Sequence, residues 1–253
     1  MRPVNDVRNC ALILLLACLP CLAQVQQPSP VPPPANRKTV FQRAVDMYEA
    51  KKYPTALLAF QEAAAAGVAE AFEYLGVMYS EGQGTSVNYQ EAMNWLRKAA
   101  AAGDGQAMCN IGILYYRGTG APQRYDLAMR WFHDAASAGN SQAMFNIGAM
   151  YRDGVGETVN FSEAMTWFLK AAGSLNDKAM NSIGAMYRNG QGVSVDYVEA
   201  ALWYRRAADL GNQAAMYNLG TMYEQGLGVL KDAEEARKWF AKASLNGLGE
   251  PVH

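Results

Sequence analysis

A motif of 36 residues occurs five times in succession, and it constrains the fold more than any other feature of the chain. The most regular copy extends from Lys178 to Gly211. In every copy a glycine, a tyrosine and a tryptophan recur at the same spacing of 36 residues. The three series are Gly76, Gly112, Gly148, Gly184 and Gly220; Tyr79, Tyr115, Tyr151, Tyr187 and Tyr223; and Trp95, Trp131, Trp167, Trp203 and Trp239. Self-similarity at a fixed period of this length predicts a repeat protein.

Each copy reads as two amphipathic helices joined by a glycine-containing turn. In the first helix of the first copy, Ala71, Leu75 and Met78 recur at helical spacing and predict a buried face. Gly76, in the middle of that helix, costs about 1 kcal/mol of helix propensity relative to alanine. We therefore expect a neighbouring helix to pack closely there. Gly82 is the residue type that ends a helix in the left-handed conformation.

The second helix of each copy carries the tryptophan between two small residues. In the first copy these are Ala92, Trp95 and Ala99, which the spacing places on one face. We expect the indole to be the large core side chain of each repeat, because a buried tryptophan removes roughly 150–250 Å² from water. Asp196 and Asp232 are expected to cap second helices.

A single hairpin of this kind cannot bury its own apolar face, but stacked neighbours can. The sequence therefore predicts an all-α fold, a right-handed superhelical solenoid of helix-turn-helix repeats. The predicted units are a leading hairpin over 39–67, repeats over 69–103, 105–139, 141–175, 177–211 and 213–247, and a tail over 248–253.

The N-terminal part of the sequence is typical of export. Residues 1–23 combine two arginines with a short apolar run and small residues before Gln24, which predicts a secretory signal peptide cleaved there. An alternative is that Cys18, which ends a lipobox-like Leu-Leu-Ala-Cys, carries a lipid anchor. Residues 24–38 are rich in proline and glutamine and predict an extended linker. We expect a periplasmic protein.

Together, the repeated residues carry a resemblance to a known family. The pattern A-x-x-x-L/I-G-x-x-Y-x-x-G-x-G, followed by an alanine and a tryptophan–aromatic pair, resembles the Sel1-like repeat, a relative of the tetratricopeptide repeat. The resemblance covers about Ala69 to Gly247. The resemblance implies a solenoid whose first helices line a concave wall. It also implies a protein that binds other proteins as an adaptor or an inhibitor. Leu175 departs from the family, because it replaces the glycine that closes the other repeats.

Residues suited to catalysis, cofactors or metals are scarce. The net charge of −1 does not predict the basic surface that nucleic-acid binding requires. Beyond the signal region Cys109 is the single cysteine, so no disulfide framework is expected. The paired glycines recur at one helix-ending position in every copy. This recurrence indicates a turn and not a phosphate-binding loop. We therefore predict a chain that is not an enzyme and needs no cofactor.

The side of the first helices opposite their buried face is the candidate binding surface, here termed the first-helix face. Residues there differ between copies, whereas the glycines and aromatic residues of the motif are constant. The mixture of aromatic rings and arginines is typical of binding hot spots. The predicted partner-binding residues are Asn110, Ile113, Tyr116, Phe145, Asn146, Arg152, Asn181, Arg188, Tyr217, Asn218 and Glu224, with Cys109 beside them.

Several functions fit a protein-binding solenoid of this kind. We favour an immunity protein that neutralises a secreted toxin such as a phospholipase; an adaptor for polysaccharide export or peptidoglycan enzymes is the alternative. A hydrolase of cell-wall or β-lactam substrates is a third hypothesis, which the scarcity of polar clusters disfavours. A role in endoplasmic-reticulum quality control would use the sequon at Asn160.

The C-terminal end is a second candidate interface. The last predicted helix ends near Leu245, and the eight residues after it are too few for the polar capping helix that solenoids normally carry. Either the tail covers the apolar end, or that end docks a partner or a second copy to form a homodimer.

Overall fold

The computed structural model describes residues 34–245, which form twelve α-helices and no strand. The predicted all-α repeat solenoid is confirmed. The signal peptide, Cys18, residues 24–33 of the predicted linker and the tail after Leu245 lie outside the described residues. The helices are α1 (Pro34–Glu49), α2 (Tyr53–Ala65), α3 (Glu70–Glu81), α4 (Tyr89–Ala101), α5 (Gly105–Arg117), α6 (Tyr125–Ser137), α7 (Ser141–Asp153), α8 (Phe161–Gly173), α9 (Asp177–Asn189), α10 (Tyr197–Asp209), α11 (Gln213–Gln225) and α12 (Ala233–Leu245).

Helix α1 begins earlier than the sequence indicated. The predicted linker ran to residue 38, but the helix starts at Pro34 and includes residues 34–38. Proline at the first helical position loses no hydrogen bond, because the first backbone N–H groups of a helix have no partner within it. The proline-rich composition therefore obscured a helix start.

Each helix packs against the next one along the chain, so the hairpins stack in sequence order. Buried side chains form contiguous clusters that pass from one hairpin to the next. Leu75, Ile111, Ile147, Ile183 and Leu219 all lie in this core, and each is at most 1% exposed. Because each apolar face is covered by its neighbour, stability is distributed over the stack.

The glycine in the middle of each first helix is a site of close helix approach, as expected. A Cβ atom built on Gly76 would lie 2.6 Å from the side chain of Leu96. At Gly148 and Gly184 it would lie 2.7 Å from Phe168 and 2.8 Å from Tyr204. The missing side chain thus gives space to the large core residue of the second helix.

That large core residue is not the tryptophan, so the prediction that the indole fills the core is wrong for the first four repeats. Leu96, Phe132, Phe168 and Tyr204, each one position after the tryptophan, are at most 1% exposed. The tryptophans before them are only half-buried. In the fifth repeat Trp239 is buried, with 4% exposure.

The half-buried tryptophans lie at the junction between repeats, and Trp95, Trp167 and Trp203 each pack beneath a cation. The ammonium group of Lys98 lies 3.8 Å from the ring centre of Trp95, and that of Lys170 lies 3.9 Å from Trp167. Trp167 also packs against the cluster of the preceding repeat and lies edge-on to His133 at 5.1 Å. The indole therefore packs in the interface between adjacent hairpins.

The repeated tyrosine has a second role in joining neighbouring hairpins. Its hydroxyl accepts a hydrogen bond from the second helix of the preceding hairpin in three places. The donors are Gln61 to Tyr79 at 3.0 Å, Arg97 to Tyr115 at 3.2 Å and Arg205 to Tyr223 at 2.7 Å. Adjacent units are thus held together by polar contacts as well as by the core.

Most helices begin at a side-chain cap. Asp196 and Asp232 cap α10 and α12 as expected, each accepting two backbone N–H groups. Asn160 accepts from the backbone N–H of Glu163 and caps α8, so the residue of the glycosylation sequon has a structural role. The caps of the first helices were not foreseen from the sequence; they are Asp104, Asn140, Asn176 and Asn212.

Leu175 adopts the left-handed backbone conformation that glycine has elsewhere in the repeats. Its φ is +57°, whereas the equivalent Gly103, Gly139 and Gly211 have φ values of +91°, +85° and +92°. A non-glycine residue in this region costs about 1–2 kcal/mol. Leu175 is 69% exposed, so its side chain offsets little of that cost.

Replacing Leu175 with glycine is therefore expected to raise the free energy of unfolding by about 1 kcal/mol. Leu175→Ala is the matched control, because alanine keeps the steric penalty and the position is exposed; it should leave stability nearly unchanged. Urea denaturation followed by circular dichroism measures both. Equal stabilisation by the two variants would show that the strain is not in the backbone.

Candidate functional site

The first-helix face is formed by α3, α5, α7, α9 and α11, which lie side by side because each is the first helix of a hairpin. Among the predicted binding residues on it, Tyr217 is 60% exposed and Glu224 is also exposed. The other nine are half-buried. Contacts between adjacent first helices cover part of this side.

Asparagine side chains connect the first helices across the repeats. The Nδ2 group of Asn110 donates to Glu73 Oε1 at 3.3 Å, and that of Asn218 donates to Asn181 Oδ1 at 3.0 Å. Asn146 makes the equivalent contact to Cys109 Sγ at 3.8 Å. Each contact spans 37 residues. These predicted binding residues are therefore engaged in holding neighbouring repeats in register.

Glu73 sits at the start of this series of contacts and is half-buried. Burial and the negative charge of Asp104 raise the pKa of its carboxyl group, and the hydrogen bond from Asn110 opposes that rise. The contact of Glu73 with Asn110 was not predicted, because one helix alone does not show which residue the next helix contacts.

The three aromatic residues of the face each pack against a neighbouring ring. Phe145 lies 5.7 Å from the ring of Phe168, and Tyr217 lies 5.2 Å from Phe240. Tyr116 contacts Tyr125 at 5.5 Å, edge to face. In each case the partner ring belongs to the second helix of the same hairpin. The aromatic rings are thus anchored at one edge.

Asn181 interrupts this pattern in the fourth repeat, where it takes the position of Phe145 and Tyr217. Its smaller side chain leaves a shallow, open depression between α7, α9 and the start of α11. Phe145, Asp177, Lys178, Asn181, Ser182 and the segment 211–214 line that depression.

The two arginines of the face differ in their pairing. Arg152 donates to both carboxylate oxygens of Asp153, at 2.7 and 2.8 Å, and the Asp153 carboxylate raises the pKa of the guanidinium. Arg188 donates to the amide oxygen of Asn189 at 3.4 Å. Arg152 also lies over the ring of Phe168 at 5.8 Å. The two positions are equivalent in the repeat, but only Arg152 is neutralised.

Cys109 lies in the core and not on the surface, which corrects its placement beside the binding residues. It is 0% exposed, and burial raises the pKa of its thiol to about 12. The apolar helix pattern offered two assignments one residue apart, and packing by the adjacent hairpin decides between them. The thiol is therefore chemically protected in the folded state.

We expect thiol modification of Cys109 to report unfolding. In the full chain with Cys10, Cys18 and Cys21 changed to serine, maleimide labelling at pH 8 should be slow in the native protein and rapid in urea. A raised folded-state pKa also means that the thiol contributes stability below pH 9, which is lost as the pH rises toward about 12. Rapid labelling without denaturant would contradict the buried placement.

No group of three or more histidine, cysteine, aspartate or glutamate residues within 34–245 is placed to hold a metal ion. Each helix in that range is also too short or too polar to cross a bilayer. What the first-helix face offers chemically is a row of anchored rings, amides and one unpaired guanidinium.

A stack of helical hairpins with a continuous core and a varied face defines an α-solenoid of the protein-interaction class. The model of the Sel1 repeat matches residues 69–104, 105–140, 141–173, 177–212 and 213–248. The chain therefore belongs to the Sel1 repeat family. This confirms the resemblance read from the glycines, tyrosines and alanines, and with it a protein-interaction scaffold.

Solved structures of related proteins agree. The chain is 32% identical to a Sel1 repeat protein from Oxalobacter formigenes, covering 82% of this chain and 84% of that one with a TM-score of 0.77. It is 31% identical to c5321, a protective antigen of uropathogenic Escherichia coli, covering 83% of this chain but 46% of that one, with a TM-score of 0.74. A comparison with curated proteins gives no significant match.

A more distant likeness is to the immunity protein Pa5087 from Pseudomonas aeruginosa. The identity is 16%, the shares covered are 88% of this chain and 87% of that one, and the TM-score is 0.60. At this identity the likeness concerns the fold.

Proposed function

We propose that the protein is a non-catalytic scaffold that binds one partner protein on its first-helix face. The observation that carries the proposal is the distribution of variation among the repeats. The glycine, tyrosine and tryptophan of the motif are constant in all five repeats, whereas one position of the first helices holds Glu73, Phe145, Asn181 and Tyr217 on the face and the buried Cys109 in the second repeat. A surface that served only to cover the core would not need such changes.

The geometry of the face supports binding of a folded protein more than of a small molecule. The depression beside Asn181 is open and shallow, unlike the enclosed clefts that bury most of a small ligand. Anchored aromatic rings lose little conformational freedom when a partner covers them, which favours them as contact residues. The partner is expected to contact several repeats at once.

We further propose that the protein works in the periplasm as an immunity protein against a secreted toxin. Two observations support this finer proposal: the sequence over 1–23 is typical of an export signal, and Pa5087, an immunity protein, shares the fold. The test is direct. Mixing the purified protein with the candidate toxin should abolish the toxin's hydrolytic activity, whereas an adaptor would leave that activity intact or increase it.

The binding face is tested with two surface variants once a partner is purified. Tyr217 and Glu224, both exposed on the first-helix face, are changed together to arginine. Arg130→Glu with Leu202→Arg, exposed positions on second helices, is the matched control. Isothermal titration should show affinity reduced about 100-fold or more for the first pair, as for loss of hot-spot residues, and little changed for the second. Loss confined to the control pair would place the interface on the second helices.

A further inference from the structure

Arg188 is a cation without a carboxylate partner among the described residues. In the third repeat the equivalent Arg152 is paired with Asp153, the next residue. In the fourth repeat Asn189 stands where that aspartate would be, and an amide cannot neutralise a guanidinium. The ion pairs within the described residues do not include Arg188. It is half-buried, so water screens its charge incompletely.

A pocket adjoins this guanidinium between the end of α9, the start of α10 and the second half of α11. The other polar residues lining it are Asn189, Tyr197, Thr221 and Gln225, and the rest of the lining is apolar. None of the lining residues carries a carboxylate. Amide and hydroxyl groups can donate hydrogen bonds to an anion, and they carry no negative charge that would neutralise the arginine.

A buried hydroxyl without a hydrogen-bond partner among the described residues lies in the same repeat. Tyr204 is 0% exposed, and its hydroxyl has no hydrogen-bond partner among the described residues. Burial raises the pKa of Tyr204, and the charge of Arg188 acts against that rise. Phe132 and Phe168 hold the same position elsewhere without a hydroxyl. The polar chemistry here is therefore particular to the fourth repeat.

We propose that Arg188 and its pocket bind an aspartate or glutamate side chain of the partner protein. The inference rests on the proposed function, and it identifies the chemical group that the partner presents at one contact. A carboxylate satisfies the guanidinium with two parallel hydrogen bonds, the geometry that arginine recognises best. Charge complementarity selects this occupant: the pocket presents one unpaired positive charge, neutral donors and no negative charge.

A short blocked peptide isolates this contact from the rest of the interface. The probes are acetyl-Gly-Glu-Gly-amide and its glutamine counterpart, titrated into the full chain labelled with ¹⁵N. The glutamate peptide should shift the side-chain Nε–H resonance of Arg188 in a saturable way, and the glutamine peptide should not. Arg188→Gln should lower the affinity for the glutamate peptide about tenfold or more, as for loss of a charged hydrogen-bond pair.

Two neighbouring substitutions separate local charge from general effects on the surface. Asn189→Asp supplies Arg188 with the internal partner that Arg152 already has, and should abolish peptide binding while the arginine remains. Asp153→Asn should do the reverse, giving Arg152 a response to the glutamate peptide. Both changes replace one exposed side chain by an isostere, so the fold is expected to persist.

Three results would overturn the inference: equal shifts with both peptides, unchanged binding by Asn189→Asp, or a response only to acetyl-Gly-Gly-Gly with a free terminal carboxylate. The last would assign the pocket to a chain end in place of a side chain. The proposed function fails separately, when the paired Tyr217 and Glu224 variant still binds the partner protein with unchanged affinity.

Discussion

Replacing Phe168 with alanine is expected to lower the free energy of unfolding by about 4 kcal/mol, the cost of removing a fully buried ring from a core. Phe168 is 0% exposed and lies against the backbone gap left by Gly148. The rigid stack on both sides can collapse only partly into the cavity. Few single substitutions in this chain should be as costly.

Trp167→Ala is the matched comparison, because it removes a larger ring at the adjacent position. The indole is half-buried and contacts Lys170 and His133, so its loss should cost only about 2 kcal/mol. Urea denaturation of both variants gives the two values. A greater loss of unfolding free energy for Trp167→Ala would show that the tryptophan is the main core residue and would contradict the placement of Phe168.

The reversed roles of these two residues show where sequence reasoning reaches its limit. In a helix, positions three and four residues after Ala164 both face the same side, so Trp167 and Phe168 fit one apolar stripe equally well. Size favoured the indole. The structure selects the other ring, because only Phe168 points at Gly148, and this pairing depends on how two helices cross.

The repeat itself, the helix positions and the close approach at Gly76 could all be predicted. They depend on residues that recur within one hairpin and on the period of a single helix. The caps of the first helices were within reach, since Asp104 and Asn140 precede helices that had been placed correctly. The preference of aspartate and asparagine for helix N-caps holds for the first helices as it does for the second helices.

The candidate site was less predictable because it depends on distances between repeats. The sequence identified Asn110 and Asn218 as face residues, but not that they donate to Glu73 and Asn181 of the preceding repeat. The difference between Arg152 and Arg188, in contrast, is visible in the sequence as Asp153 against Asn189. Comparing the repeats with one another, and not only extracting their common pattern, reveals it.

Gly84→Ala is expected to be the second severe substitution, destabilising the protein by about 3 kcal/mol. Gly84 has φ +75°, a conformation that costs alanine about 1 kcal/mol or more. In addition, a Cβ atom there would lie 2.5 Å from the backbone carbonyl of Tyr53. A carbonyl at the start of α2 cannot rotate away as a side chain can, so the loop and the leading hairpin must separate.

Gly103→Ala is the control, since it has the same kind of backbone strain without the contact. Its φ is +91° and no atom lies within 4 Å of an added Cβ, so it should cost only about 1 kcal/mol. Hydrogen exchange identifies which helices are destabilised. Gly84→Ala should speed amide exchange in α1 and α2, whereas Gly103→Ala should not. Equal stability of the two variants would mean that the leading hairpin does not dock on the first repeat. If the variants differ as expected, the second glycine of each turn is the point where one repeat meets the helix start of the preceding hairpin.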